Sequence, residues 1–361
     1  MQPRIRRLRD FMANHGLDGF LVSKPENRRY FSGFTGSAGV LFITENQAKL
    51  LTDFRYMEQA TDQAGDQYDI IRYGGSTDNS LYKVVSGLVA HHKLCKVGFE
   101  GDFTTFQIYS SLIREVPGCL FESAQLDGLR VVKDERELGL IRKAVNIADQ
   151  AFTHILSVIK PGISEYDVAL ELEYKMRRLG AEKPAFDTIV ASGLRGALPH
   201  ATPLSDKLLA EGEFITMDFG AVYQGYHSDI TRTVVLGCAN KKQKKLYDLV
   251  LSAQTAGVAA VASGKVCRDV DKVARNIISD AGYGEFFGHG LGHGVGLAIH
   301  EEPRLTVSSE DVVLKENMVV TVEPGIYLPG WGGLRIEDTV VVCAGGSEIL
   351  TASSKQLIEI Q

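Results

Sequence analysis

The sequence predicts an α/β (α+β) chain of two domains: a small N-terminal α/β domain over residues 1–128 and a larger domain over 129–361 that uses a helix/strand unit twice. Three observations predict it. Short apolar strands alternate with amphipathic helices through the first part, and one helical pattern of over six turns, KDERELGLIRKAVNIADQAFTHILSVI, opens the second. A displacement of 102 residues sets Gly162 on Gly264, Asp167-Val168 on Asp269-Val270 and Gly180 on Gly282, each set framing an amphipathic helix. Four identities over about twenty positions leave chance as the competing account.

In chain order, Pro3 to His15 has helical spacing, and GFLVS, VLFIT and AKLLTDF alternate as strands. Helices follow near Asn79 to His92 and Thr105 to Glu115, and the first domain ends near Phe121 to Leu129. YFSGFTGSAG and Asp53 to Tyr56 read either as loops lining a site or, more simply, as strand-turn-strand with glycine at the bends. The glycine-rich turn lacks the Gly-Lys-Ser/Thr ending and following helix of a phosphate loop. His154, inside the long helix, reads as a packed or surface residue with no part in chemistry.

Chemistry concentrates in four short segments of the second domain. Around Gln224-Gly225 lie two β-rich runs, Phe214 to Tyr223 and Tyr226 to Val235, and an X-Gly pair between such runs reads as a tight hairpin turn. A two-residue turn sets Asp218 opposite Thr231 and Asp229 opposite Gly220. Those four then share one face, with Phe219 and Ile230 on the other. The carboxylates become diagonal neighbours with α-carbons roughly 7–8 Å apart, which suits convergence on metal ions about 3.5–4 Å apart. Two solvated acids on an edge hairpin are the plain alternative.

Glu323 follows the apolar run NMVVTV and precedes Pro-Gly; Glu337 lies in LRIEDTVVV, read as a strand leaving the loop Pro329 to Gly333. A carboxylate inside either run costs several kcal/mol unless a cation compensates. Arg335, on the same strand face as Glu337, offers a plain salt bridge. That would answer for one Glu, but not easily for both and two Asp. Of nine histidines, His289, His293 and His300 fall in GHGLGHGVGLAIHE and His200 in LPHATP. Glycines around His289 and His293 admit close approach of backbone and metal. An oxygen-dominated set with one imidazole and no cysteine fits Mn²⁺ best, with Co²⁺, Fe²⁺ or Zn²⁺ as substitutes.

Composition narrows the class. At 361 residues and 44% hydrophobic content the chain can build sizeable cores, and a net charge of −6 with interspersed signs provides no basic stripe for nucleic acid. Five cysteines, Cys95, Cys119, Cys238, Cys267 and Cys343, have no ligand spacing and read as reduced thiols of a cytoplasmic protein. MQPRIRRLRDFMANHG is an amphipathic pattern rather than a signal peptide, and no run of 18 apolar residues predicts a membrane span.

These motifs resemble the metallopeptidases of the methionine aminopeptidase, aminopeptidase P and prolidase group, whose catalytic domain has the pita-bread fold. The resemblance runs through the motifs over residues 130–361 and, by architecture, over the whole chain. VEPGIY, LRIED and the His289-to-His300 spacing are similar to the Xaa-Pro branch, and the preceding domain sets the chain apart from short methionine aminopeptidases. Creatinase has the same two-domain build but lacks the metal site.

The resemblance implies five metal ligands, Asp218, Asp229, His293, Glu323 and Glu337, holding two divalent ions. Asp229 and Glu337 would bridge the ions around a hydroxide, Asp218 would chelate one, and His293 with Glu323 the other. Glu323 is implied as general base. His200, His289 and His300 would surround the substrate and donate to its scissile carbonyl, Arg335 would orient Glu337 or meet a substrate carboxylate, and Tyr327 would line the pocket. The activity implied is that of a short-form Xaa-Pro aminopeptidase. The alternative is prolidase, the Xaa-Pro dipeptidase, and a remoter one is a non-catalytic pita-bread binding module, whose ligand sets are usually eroded. Implied partners are short proline-containing peptides and a second copy in a homodimer.

Overall fold

The computed structural model describes residues 3–361 and divides into two units, Met1–Arg130 and Val131–Gln361. In the first, six strands form one mixed sheet in the order Asp69–Arg72, Ala48–Thr52, Val40–Thr44, Gly19–Val22, Lys96–Phe99, Leu120–Ser123. The central strand Gly19–Val22 is apolar and continuously buried, as a strand covered on both faces is. Helix Pro3–Asn14 buries Ile5, Leu8 and Met12. Ser80 caps helix Leu81–His92 and Thr105 caps helix Phe106–Glu115, each hydroxyl accepting a backbone N–H of the first turn.

The stretch YFSGFTGSAG departs from the strand-turn-strand expectation. Pro25, pre-set for a first helical turn, starts a helix that runs to Ser32, and Gly33 ends it in the left-handed region at φ 77°. The turn that follows is held by Arg28, which donates to the carbonyls of Gly36 and Gly39 at 2.6 and 2.8 Å. Asp53 to Tyr56 form a short 3₁₀ turn capped by the Asp53 carboxylate.

The second unit repeats itself. Helices Glu135–Ile155 and Lys241–Ala260 each open with a capping box, Asp134 with Glu137 and Asn240 with Gln243. Each is followed by a partner helix, Glu165–Arg178 and Cys267–Asp280, whose first and last residues lie 102 apart. Gly162 and Gly264 precede them with φ of 85° and 84°, and each donates its N–H to a leucine carbonyl, Leu209 or Leu314, at 2.9 Å. The sequence identities at that displacement therefore mark a true structural repeat.

Two sheets belong to the two halves. One has the order Glu359–Ile360, Ile230–Leu236, Phe214–Phe219, Ile189–Ser192; the other Glu301–Leu305, Gly292–Gly294, Val319–Val322, Asp338–Cys343, Gly346–Ile349. Helices pack on one face of each and bury separate apolar clusters, around Phe152, Leu172 and Met217 in one half and Val250, Ala274 and Val322 in the other. The opposite faces are left for the site. His154 is half-buried against the neighbouring helix Glu165–Arg178, 2.6 Å from Glu171. All five cysteines are free, and among the described residues no helix is long and apolar enough to cross a membrane.

Candidate active site

Gln224 and Gly225 both have positive φ, 45° and 79°, the signature of a two-residue type I′ turn. The register it sets pairs Thr231 with Asp218 and Ile230 with Phe219, and Phe219 and Ile230 are fully buried. Asp218 and Asp229 therefore project from the opposite face. Regular pairing lapses at Gly220, where a β-carbon would meet the Ser228 carbonyl at 1.9 Å. Asp229 occupies that gap, its carbonyl accepting from the Thr339 hydroxyl at 2.8 Å.

LRIEDTVVV is two strands rather than one. Gly332–Arg335 pairs with Gly325–Leu328, Asp338–Cys343 joins the larger sheet, and Glu337 sits at the break. There its N–H donates to the Thr231 carbonyl at 3.2 Å, and its carboxylate accepts from the Thr231 hydroxyl at 2.8 Å. Glu323 also follows a strand end, Val322, and its N–H donates to the Leu291 carbonyl at 2.8 Å.

His293 lies at the centre of strand Gly292–Gly294. A β-carbon on Gly292 would fall 2.0 Å from the Thr321 carbonyl, so glycine is what lets this strand approach Val319–Val322. Nδ1 of His293 is 3.0 Å from the Gly294 carbonyl, which makes it the protonated nitrogen. Nε2 is left 3.5 Å from Asp229 Oδ2 and 3.4 Å from Glu323 Oε1.

Asp218, Asp229 and Glu337 each present an oxygen within 4.8 Å of the others. Each also keeps one buried oxygen without a hydrogen-bond partner: Asp218 Oδ1, Asp229 Oδ1 and Glu337 Oε1. Such orphans are costly unless something positive meets them. Burial, then the neighbouring carboxylates, drives Asp229 and Glu337 well above the usual carboxylate range. Burial pushes Glu323 up to about 7 and His293 down to about 3. Without a cation, Asp229 and Glu337 are thus driven toward the protonated form and His293 toward the neutral imidazole. Three orphaned oxygens beside a lone-pair nitrogen fit divalent cations.

Arg335 takes a different partner from the one expected. Because the strand ends at Arg335 and the chain turns before Glu337, its guanidinium pairs with Asp218, and Nε donates to the Thr231 hydroxyl at 3.0 Å. Glu337 is reached only through that hydroxyl. Tyr327 is tied to two residues of the cavity wall: its hydroxyl accepts from Arg335 Nη1 at 2.7 Å and lies 3.0 Å from His289 Nε2. His289 Nδ1 faces the Gly290 carbonyl at 2.8 Å, so both ring nitrogens are engaged. Burial holds this imidazole down at about 4, uncharged.

A cavity of about 810 Å³ opens over these groups. Its wall includes His200, His289, His293 and His300 with Phe186, Ile189, Pro199 and Pro203. The His300 ring stands edge-on to that of His293, centroids 4.4 Å apart. Two contributors escaped the sequence reading of the site. Thr321 accepts the His293 N–H at 3.0 Å. Arg304 lines the cavity, directly across the strand pair from His293. The signal for Arg304 lay in HEEPRL, a cation four residues past His300 on a strand.

Comparison with known proteins identifies the family. The family model described as metallopeptidase family M24 matches residues 139–344, and that of the creatinase/prolidase N-terminal domain matches residues 4–132. A Xaa-Pro dipeptidase of Pyrococcus horikoshii is 38% identical over 99% of each chain. The solved Xaa-Pro dipeptidase of Bacillus anthracis is 45% identical over 98% of each chain with a TM-score of 0.94. An X-Pro aminopeptidase structure of Thermotoga maritima is 38% identical, covering 99% of this chain and 100% of its own, with a TM-score of 0.90.

Proposed function

The chain belongs to metallopeptidase family M24, a metallo-exopeptidase of pita-bread fold, and from that membership we propose that it is a Xaa-Pro dipeptidase. The relatives named above back the dipeptidase more than the aminopeptidase that the sequence favoured. Membership of a family of metallopeptidases speaks against the non-catalytic binding module.

Arg304 carries the choice. It lines the cavity across from His293, and no salt bridge to its guanidinium is found among the described residues. A dipeptide ends in a carboxylate one residue past the scissile bond, where a longer peptide has an uncharged amide. A guanidinium in that wall recognises the first and gains nothing from the second. Phe186, Ile189, Pro199 and Pro203 supply apolar surface for a pyrrolidine ring.

Asp218, Asp229, His293, Glu323 and Glu337 would hold two divalent ions, with Mn²⁺ our choice for so oxygen-rich a set. When bound, such ions supply Lewis acidity to the scissile carbonyl and acidify water. Glu323 takes the proton of the attacking water on a carboxylate oxygen and delivers it to the prolyl nitrogen, which has no hydrogen and must gain one to leave. His200 and His300 donate to the carbonyl oxygen as it gains charge. His289, engaged through Tyr327, holds that wall in place.

Hydrolysis of Ala-Pro beside Ala-Pro-Ala by metal-stripped protein, with and without Mn²⁺, tests the reading. Mn²⁺-dependent cleavage of the dipeptide alone supports it. Cleavage of the tripeptide would make the chain an aminopeptidase, the reading that the Thermotoga relative favours.

A further inference from the structure

Each of the three cavity histidines outside the candidate ligand set sits on a segment tied to an ion pair whose carboxylate is buried. Glu165, the first residue of helix Glu165–Arg178 and wholly buried, accepts from Ser192 N at 2.7 Å and Ser192 Oγ at 2.9 Å with one oxygen. With the other it accepts from Arg195 Nε at 2.9 Å and Leu204 N at 3.3 Å. One carboxylate thus closes both ends of the loop 192–204 that carries His200, and Arg195 spans the loop to the Thr202 carbonyl.

The other half of the unit does the same from the repeated helix Cys267–Asp280. Asp271, wholly buried, receives Arg275 in a two-pronged pair at 2.7 and 2.8 Å and accepts from Leu291 N at 2.9 Å. Arg275 donates to the carbonyls of Phe287 and His289 at 3.0 and 2.7 Å. Beside His300, Glu301 pairs with Lys133 at 3.1 Å, both side chains 1% exposed, and accepts from Ala298 N at 2.9 Å.

Stability alone does not call for these charges, since apolar side chains of similar volume serve a buried site as well or better. Their common property is the segment they fix. We propose that Glu165–Arg195, Asp271–Arg275 and Glu301–Lys133 are positioning pairs, which fix the cavity wall that carries His200, His289 and His300 without themselves touching the substrate. The inference rests on the prolyl-peptidase reading of the cavity.

Glu165→Gln keeps shape but removes the charge. In the Mn²⁺-loaded protein it should lower kcat/KM for Ala-Pro by about 10- to 100-fold, the scale of a small misplacement of a reacting group. Mn²⁺ affinity, measured by calorimetry on the stripped protein, should stay unchanged, and amide exchange should quicken in 192–204 but not in 214–236. Asp271→Asn should move the exchange effect to 287–291. Arg195→Lys, which keeps the charge, should recover part of the activity that Arg195→Met loses. A parallel fall in Mn²⁺ affinity, exchange quickened throughout the unit, or unchanged kcat/KM with a loosened loop would each overturn the proposal. If the wild-type protein cleaves no prolyl peptide, the functional reading fails by itself. Exchange confined to 192–204 then still upholds the pairing, and unconfined exchange overturns it.

Discussion

Arg304 and Glu323 show how much one side chain can decide. On the dipeptidase reading, truncating Arg304 to Met would remove the proposed charge-assisted contact to the substrate carboxylate, an interaction of about 1.5–3 kcal/mol. The expected result is a KM for Ala-Pro raised by about 10- to 100-fold with kcat altered far less, and Arg304→Lys falling between. Steady-state kinetics checks it, and an unchanged KM would remove Arg304 from the specificity argument. Glu323 supplies a test without substrate. Its carboxyl, ordinarily at 4.5, is pushed up to about 7 by burial, so between those values the folded protein keeps a proton that the unfolded chain has released. That contribution to stability is full below about pH 4.5 and is lost as pH rises through about 7, and Asp229 and Glu337 shift in the same direction. His293 and His289, held down at about 3 and 4, act in the opposite direction below about pH 6.5, so the comparison belongs above it: metal-stripped protein should melt lower at pH 9 than at pH 7, and Mn²⁺ should restore more at pH 9, where it need not displace protons. Melting temperatures in EDTA that are flat or rise across this range would contradict the assignment.

Elements differ in how far the sequence discloses them, and the hairpin shows why. Its turn is two residues with one required geometry, so Gln224-Gly225 alone fixes the pairing of Asp218 with Thr231. No comparable local signal marks the break inside LRIED, where the chain leaves one sheet for another. The apolar alternation runs on unchanged, and only the tertiary partner Thr231 sets Glu337 in the gap. For the same reason the Arg335–Asp218 pair and the Tyr327 bridge were illegible, while the five candidate ligands, which depend on residue type and short spacing, were not. Glycines in GHGLGHGVG are legible as a group, but which of them is indispensable is a matter of packing. Gly292→Ala would drive a β-carbon into the Thr321 carbonyl, a backbone atom that cannot turn aside. We expect a loss of about 1–3 kcal/mol or more in urea unfolding together with weakened Mn²⁺ binding. Gly288→Ala, with open space around the position, should leave both near wild type. Equal effects from the two would mean that the close strand approach is not what the glycine serves.

At the scale of the whole molecule, the repeat explains why the site needs both halves of the second unit. Asp218 and Asp229 come from the sheet of one half, and His293, Glu323 and Glu337 from strands or strand ends of the other. Neither half holds a complete set, and the three orphaned oxygens are divided between them. Ions held by both would join the halves, so binding free energy becomes stability shared by the pair, about 2.7 kcal/mol at a free ion concentration 100 times Kd. Hydrogen exchange in the presence and absence of Mn²⁺ reads this directly. Protection should rise in step over 214–236 in one half and over 289–294 and 319–341 in the other, by up to about 100-fold where exchange requires the halves to part. Segments 19–22 and 40–52, in the sheet of the first unit, should change little, since no candidate ligand lies there. Protection gained in only one half would mean that the cation is held by that half alone, and the shared site drawn from the five residues would have to be given up.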